Sequence, residues 1–329
     1  MYEKFFGLAE RPFDLTPNPK YLFLAPSHRE ALSSLDYGIA TGVGVTVLVG
    51  DAGTGKTTLI RATLESREAR KTHAVYLNNP TLTRSEFLEF LAREFHLGPD
   101  VAASKTKLLE RLEVALRRFR ADGVTAALII DEAQSLPHDL LEEVRLLANI
   151  ETTTEKLLPI VLAGQPELAD RLNQQSLRQL KQRVGLRCFL RPLDLGETGQ
   201  YITARVRVAG GEASTLFTRE AVCLVHERSK GIPRTISVIC HNALISGFAM
   251  TRRPVAADVV REVCRDFDFE NASASLPEVS LRHTSISDGD RDVPSDVASR
   301  TQAPTESRGL AGDLFANVFR SRRGFFSSF

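Results

Sequence analysis

The sequence predicts an α/β protein with a five-stranded parallel sheet, followed by a smaller region made only of helices. Two observations predict this class. Short apolar runs alternate with helical segments as far as Leu190, and strands separated by helices form parallel sheets that are covered on both faces. After Pro192 the strand-like runs stop and amphipathic segments follow. Ligands of such sheets bind at the carboxyl ends of the strands.

The strands and helices follow from the local pattern. Apolar runs predict strands at Val45–Val49, Thr72–Asn78, Ala126–Asp131, Leu157–Gly164 and Gly185–Leu190. Leucines and alanines at helical spacing predict helices at Arg84–Phe95, Lys105–Phe119, Pro137–Ile150, Glu197–Ala209, Thr218–Ser229, Pro233–Ala249 and Val255–Phe267. Ser27, with Glu30 three residues later, predicts the N-cap of a helix that runs to about Ile39.

A phosphate-binding loop lies between the first strand and the next helix. The sequence there has the pattern G-x-x-x-x-G-K-[ST], whose backbone N–H groups wrap phosphates at the positive end of a helix. Lys56 is expected to reach the β- and γ-phosphates of ATP, and the Thr57 hydroxyl to ligate Mg²⁺. The predicted nucleotide-binding residues are Gly50, Asp51, Ala52, Gly53, Thr54, Gly55, Lys56, Thr57 and Thr58.

Polar side chains follow two later strands. Asp131 ends an apolar strand and is expected to hold Mg²⁺, directly or through water. Glu132 beside it is suited to polarise the attacking water. Gln165, which follows the Leu157–Gly164 run, either hydrogen-bonds the γ-phosphate or the water, or stabilises a turn.

Arginines supply candidates for stabilising the negative charge of the transition state. Arg178, Arg183 and Arg187 cluster just before and within the fifth predicted strand, and one of them is a candidate arginine finger that acts in a neighbouring subunit. Solvated surface arginines are the alternative. Arg234 opens a predicted helix after Pro233, a residue suited to the first helical turn, and is placed to sense the γ-phosphate.

Composition sets the remaining limits. The net charge of +1 gives no bulk electrostatic reason to expect nucleic acid or an anionic membrane as partner. The four cysteines are scattered and no signal-peptide-like start precedes them, which indicates a cytoplasmic protein. No apolar run approaches the roughly 20 residues that span a bilayer.

Five regions are predicted along the chain. They are an arm and helix at 1–40 that pack on the nucleotide domain, that domain at 41–192, a helical lid at 193–270, a disordered linker at 271–308 and an aromatic, basic tail at 309–329. The arm is equally suited to cover the adenine or to act as a packing strap. The tail has three open interpretations: it docks on a partner, lies on the inner membrane surface, or folds back on the core.

Taken together, these motifs resemble the AAA+ superfamily and, more narrowly, the ATPase of the general (type II) secretion pathway called protein A, or ExeA. The stretches that carry the resemblance are MYEKFFGLAERPFDLTPNPKYLFL, HREAL, YGI, GDAGTGKTT, LIIDEAQ, RLLANIET, LPIVLAGQPEL, LKQRV and GIPRTI. The resemblance implies a nucleotide-driven oligomer in which the arm covers the base. It also implies the Walker B acids Asp131 and Glu132, sensors Gln165 and Arg234, and Arg183 as the arginine finger.

The resemblance ends near Phe269. Members of this type continue into a transmembrane helix and a peptidoglycan-binding domain, and the residues after Phe269 resemble neither, so cell-wall binding is not expected. We expect a switch or motor that assembles a secretion or envelope export machine. The alternatives are a DNA-associated ATPase such as a transposition helper, since that module is similar, and a nucleotide-dependent scaffold with slow turnover.

Overall fold

A computed structural model describes residues 1–16, 18–68, 71–78, 81–98, 101 and 104–269. Its five strands form one parallel sheet, as predicted, in the order β2-β3-β4-β1-β5. The strands are β1 (Val45–Gly50), β2 (Thr72–Leu77), β3 (Thr125–Ile130), β4 (Ile160–Gly164) and β5 (Val184–Leu190). Because β4 pairs in parallel with both β1 and β3, the residues that follow β1, β3 and β4 emerge at the same end of the sheet.

Thirteen α-helices precede, surround and follow the sheet in the part of the chain that the structure describes. They are α1 (Tyr2–Phe6), α2 (Pro26–Thr41), α3 (Lys56–Glu68), α4 (Arg84–Glu94), α5 (Lys105–Ala121), α6 (His138–Leu147), α7 (Pro166–Asn173), α8 (Arg178–Lys181), α9 (Leu195–Val208), α10 (Ala213–Leu216), α11 (Arg219–Ser229), α12 (Pro233–Ala249) and α13 (Ala257–Asp266). Sequence reasoning missed α1, α7, α8 and α10. Each of these helices spans at most about two turns, which is too short for a periodic pattern to emerge.

Several helix starts differ from the prediction by one or two residues, and the first turns of two helices show why. Helix α2 begins at Pro26 with Ala25 as its N-cap, so Ser27 lies inside the first turn and caps nothing. Proline suits this first position because its missing N–H would have no helical partner there. Helix α9 begins two residues before the predicted Glu197, because Asp194 and Glu197 form a capping box in which each side chain accepts the other's backbone N–H.

Both faces of the sheet are buried. One face is covered by α4 to α8, whose leucines pack on the alternate strand residues Val47, Leu128 and Leu162. On the other face, α2 and α3 pack on Leu48, Ile129 and neighbouring residues. Because the central strands β1, β3 and β4 meet apolar side chains on both sides, their sequences are continuous apolar runs, whereas the edge strand β5 exposes alternate residues.

A separate apolar core joins the N-terminal arm to the helical region. The side chains of Tyr2, Phe6 and Phe13 are buried among residues of α9, α11, α12 and α13. The prediction that the whole of 1–40 packs on the nucleotide domain therefore needs correction, because α2 packs on the sheet whereas the aromatic part before it packs on the helices. Alternating aromatics and prolines indicate burial, but they do not indicate which core receives them.

The boundaries predicted at residues 40, 192 and 270 stay predictions. The expectations for the linker at 271–308 and the tail at 309–329 lie outside the described residues. Among the helices that the structure does describe, none is both long and apolar enough to cross a membrane.

Candidate active site

The phosphate loop connects the last residue of β1, Gly50, to the first residue of α3, Lys56. Gly53 and Gly55 adopt φ values of +84° and +101°, a left-handed region that side chains disfavour. Thr54 is fully buried, and its backbone N–H and hydroxyl both donate to the Asp51 carbonyl, at 3.2 and 2.8 Å. The loop is therefore closed on itself by its own hydrogen bonds.

Lys56 crosses the inside of this loop. Its Nζ donates to the carbonyl oxygens of Gly50 at 2.7 Å and Asp51 at 3.1 Å, and the residue is only 4% exposed. Burial lowers the pKa of the Lys56 ammonium, and the nearby carboxylates of Glu132 and Asp131 act in the opposite direction. A buried cation that has only carbonyl partners is suited to receive phosphate oxygens.

The predicted metal ligands Thr57 and Asp131 are in direct contact. The Thr57 hydroxyl donates to Asp131 Oδ2 at 2.6 Å, and the hydroxyl of Tyr76, on β2, donates to the same oxygen at 2.8 Å. The other carboxylate oxygen accepts the backbone N–H of Glu132 at 3.0 Å. A hydroxyl and a buried carboxylate are hard oxygen donors of the kind that Mg²⁺ takes together with phosphate oxygens and water, so this pair fits the ion.

Tyr76 is a member of the site that sequence reasoning missed. Burial first, and then the charge of Asp131, raise the pKa of its phenol, so the hydroxyl stays protonated and donates. The pairing of Tyr76 with Ile129 in the sheet places its strand beside the strand that leads to Asp131. The signal in the sequence is a tyrosine two residues before the end of a predicted strand, which becomes informative only when the strand order is known.

Glu132 occupies a strained backbone position, with φ of +52°. Its Oε2 accepts a hydrogen bond from Gln134 Nε2 at 2.7 Å and has a longer contact of 3.4 Å with Gln165 Nε2. Gln165, the N-cap residue of α7, therefore lies beside Glu132. The side chains of Glu132 and Gln165 meet at the edge of the sheet, as their strand ends predicted.

Arg234 approaches the loop from the helical region. Its backbone N–H donates to the Gly53 carbonyl at 3.2 Å, and a Cβ placed on Gly53 would lie 2.8 Å from the Cβ of Arg234. The turn before it is equally tight: Gly231 has φ of +71°, and its carbonyl accepts the Leu193 N–H at 2.8 Å. The phosphate loop, the start of α12 and the segment after β5 therefore pack directly on one another.

The three candidate finger arginines are not part of this cluster. Arg183 precedes β5, and its carbonyl accepts the N–H of Val45, the first residue of β1. It thus lies at the amino end of the sheet, about 17 Å of strand away from the phosphate loop. Arg178, at the start of α8, and Arg187, in the middle of β5, are exposed like Arg183.

His28 is a second residue that sequence reasoning missed. From the first turn of α2, its Nε2 donates to the Thr54 carbonyl at 2.9 Å, and the side chain is buried. Burial lowers the pKa of the His28 imidazole, which therefore stays neutral. No local signal marks this histidine, because its partner lies 26 residues away in the chain.

Comparison with known proteins agrees with this geometry. Residues 40–172 match the family model described as an AAA domain. Over 78% of this chain the fold matches the ORC2 protein of Aeropyrum pernix, with 71% of that chain covered, 20% identity and a TM-score of 0.57. It also matches Cdc6p of Pyrobaculum aerophilum, over 78% and 70% of the two chains, with 17% identity and a TM-score of 0.58. At these identities the likeness shows the fold alone.

The domain and the site define the class of protein: the chain carries an AAA domain with a phosphate loop, at residues 40–172. It is related more specifically to general secretion pathway protein A of Aeromonas hydrophila, to which it is 43% identical over 249 residues. The match covers 76% of this chain but only 45% of that relative. The chain therefore spans less than half the length of the protein that it resembles.

Proposed function

We propose that this chain is an ATP-driven assembly switch or motor, working as a homo-oligomer, for a secretion or envelope assembly system. The observation that carries the proposal is the contact of Arg234 with Gly53, because it joins the helix α12 directly to the phosphate loop. A rearrangement of the phosphate loop on hydrolysis would therefore be transmitted directly to the helical region. The kinship with general secretion pathway protein A supports the choice of machine.

The chemistry follows from the contacts of the site. Lys56 binds the β- and γ-phosphates, and Thr57 with Asp131 would hold Mg²⁺, which when bound neutralises phosphate charge. Glu132 accepts a proton from the attacking water, a contribution that is typically about 10²–10⁴-fold. Gln165 donates its amide N–H to the γ-phosphate or to that water. Arg234 reports on the γ-phosphate from the start of α12.

Oligomerisation is proposed because Arg183, the candidate arginine finger, does not lie at the phosphate loop of its own subunit. Arg183 is exposed and lies at the far edge of its own sheet, so it is available to a neighbouring subunit and not to its own site. An arginine supplied in this way is worth about 10³–10⁵ in rate. Arg178 and Arg187 remain alternatives for the same role.

The switch is tested by measuring the mass of the assembled chain with ATP and with ADP. We expect Glu132→Gln to bind ATP, to hydrolyse it at least about 100-fold more slowly than wild type and to accumulate as the larger assembly. Equal mass with both nucleotides would contradict the switch. Hydrolysis that is stimulated by duplex DNA and falls steeply with salt would favour the DNA-associated alternative.

The arginine in trans is tested by mixing inactive subunits. Arg183→Ala keeps an intact phosphate loop and Lys56→Ala keeps the arginine, so a mixture should recover activity that neither variant has alone. Arg261→Ala, on the exposed side of α13, is the matched control and should behave as wild type. Mixtures without recovery would remove Arg183 from this role.

A further inference from the structure

Gln134 connects the ends of two strands at the active site. It lies in the short 3₁₀ turn Ala133–Ser135 that follows β3. Its Nε2 donates to Glu132 Oε2 at 2.7 Å, and its Oε1 accepts the backbone N–H of Gln165 at 3.1 Å. The Gln134 side-chain amide therefore makes two hydrogen bonds: its NH₂ group bonds to the proposed water activator Glu132, and its oxygen bonds to the residue after β4.

The surroundings of Gln134 are shaped to hold it. A Cβ on Gly164, the last residue of β4, would lie 2.8 Å from Gln134 Oε1, so a larger residue at 164 would displace the amide. Arg171, on α7, donates from Nη1 to the Gln134 backbone carbonyl. The left-handed backbone of Glu132 turns the chain so that residue 134 comes back beside it. Three structural elements thus fix the position of the Gln134 side-chain amide.

We propose that Gln134 is a positioning residue for ATP hydrolysis, which holds the Glu132 carboxylate by Oε2 and ties it to Gln165. The inference rests on the proposed role of Glu132. A carboxylate held through one oxygen presents the other to a water in a single orientation, whereas a half-buried glutamate without this bond is free to change rotamer. Because Gln165 is tied to the same amide, its contact with the γ-phosphate and the orientation of Glu132 are set together.

The test replaces the amide and separates binding from turnover. Gln134→Leu removes both hydrogen bonds at similar size, and Gln134→Glu keeps the acceptor for Gln165 but loses the donor to Glu132. For both variants we expect kcat to fall about 10- to 100-fold, as for loss of a hydrogen bond to a charged group. The Kd for a non-hydrolysable ATP analogue should stay within about twofold, because the phosphate loop is unchanged. Gln200→Leu, on the exposed side of α9, is the control and should leave both quantities unchanged.

A double variant separates this inference from the proposed function. If Gln134 acts through Glu132, adding Gln134→Leu to Glu132→Gln should slow hydrolysis no further. The inference is overturned, and the role of Glu132 is kept, if Gln134→Leu has a kcat within twofold of wild type. The same holds if Gln134→Leu lowers kcat as much in the Glu132→Gln background as it does in the wild type. Equal losses of kcat and nucleotide affinity would show a structural residue only and also overturn it. Wild-type hydrolysis by Glu132→Gln would instead overturn the assignment of Glu132. If Gln134→Leu does not fold, Gln134→Glu decides the same comparison.

Discussion

The turn at Gly231 is the point where the helical region and the nucleotide site are joined most tightly. Replacing it by alanine would place a Cβ 2.0 Å from the Leu193 carbonyl oxygen, which is backbone and has little room to move. The left-handed φ of +71° adds strain for any side chain. Displacing Leu193 would also weaken its N–H bond to the Gly231 carbonyl, which is 2.8 Å long.

The expected loss combines these causes. Left-handed strain for alanine costs about 1–2 kcal/mol, relief of an overpacked contact about 1–3 kcal/mol, and a weakened backbone hydrogen bond about 0.5–1.5 kcal/mol. Gly231→Ala should therefore destabilise the protein by about 2.5–6.5 kcal/mol, a large part of typical domain stability. The assay is urea unfolding followed by circular dichroism, together with nucleotide affinity, which should fall because Arg234 is displaced from Gly53.

Gly199 provides the matched control. It lies within α9, has no left-handed φ, and a Cβ there would meet nothing within 4 Å. Gly199→Ala should therefore raise stability by about 0.5–1 kcal/mol, since alanine favours a helix interior over glycine. Wild-type stability of Gly231→Ala, or a loss as large for Gly199→Ala, would refute this explanation of the turn.

Two further predictions concern the arm and pH. Arg205 donates to the Pro12 carbonyl at 2.6 Å and to the Tyr201 hydroxyl at 2.8 Å. Arg205→Ala should therefore release the arm and speed proteolysis within the first 25 residues at least tenfold. An unchanged rate of cleavage would contradict the claim that Arg205 holds the arm in place. Burial lowers the pKa of His28, so the unfolded chain takes up its proton first and stability falls as pH drops below about 6.5 toward the folded value. His28→Gln, which keeps a donor for Thr54, should reduce that fall by at most about 1.4 kcal/mol per pH unit. An unaltered slope of unfolding free energy between pH 6.5 and 5 would exclude His28 as its source.

Local signals were sufficient for much of the fold. Helix α12 has the predicted bounds because proline at its start and an apolar repeat along its length are both local features. The phosphate loop was equally visible, because its glycines and Lys56 lie within a few residues of one another. The strand ends then placed Asp131, Glu132 and Gln165 together, since parallel strands end at one edge.

Contacts across the chain were not predictable in the same way. Tyr76 reaches Asp131 across 55 residues and His28 reaches Thr54 across 26. Such pairs depend on strand order and helix packing, which no local pattern encodes. The arm shows the same limit, because its aromatic residues predict burial equally well in either of two cores.

The central claim is that one ATP binds among Lys56, Thr57, Asp131 and Glu132. Titration calorimetry of the full chain with ATP and Mg²⁺ tests it most directly. We predict binding of one nucleotide per chain in the wild type, and none at the same concentrations for Lys56→Ala, whose fold should be checked by circular dichroism. Absence of binding to the wild-type chain, or undiminished binding to folded Lys56→Ala, would contradict the claim.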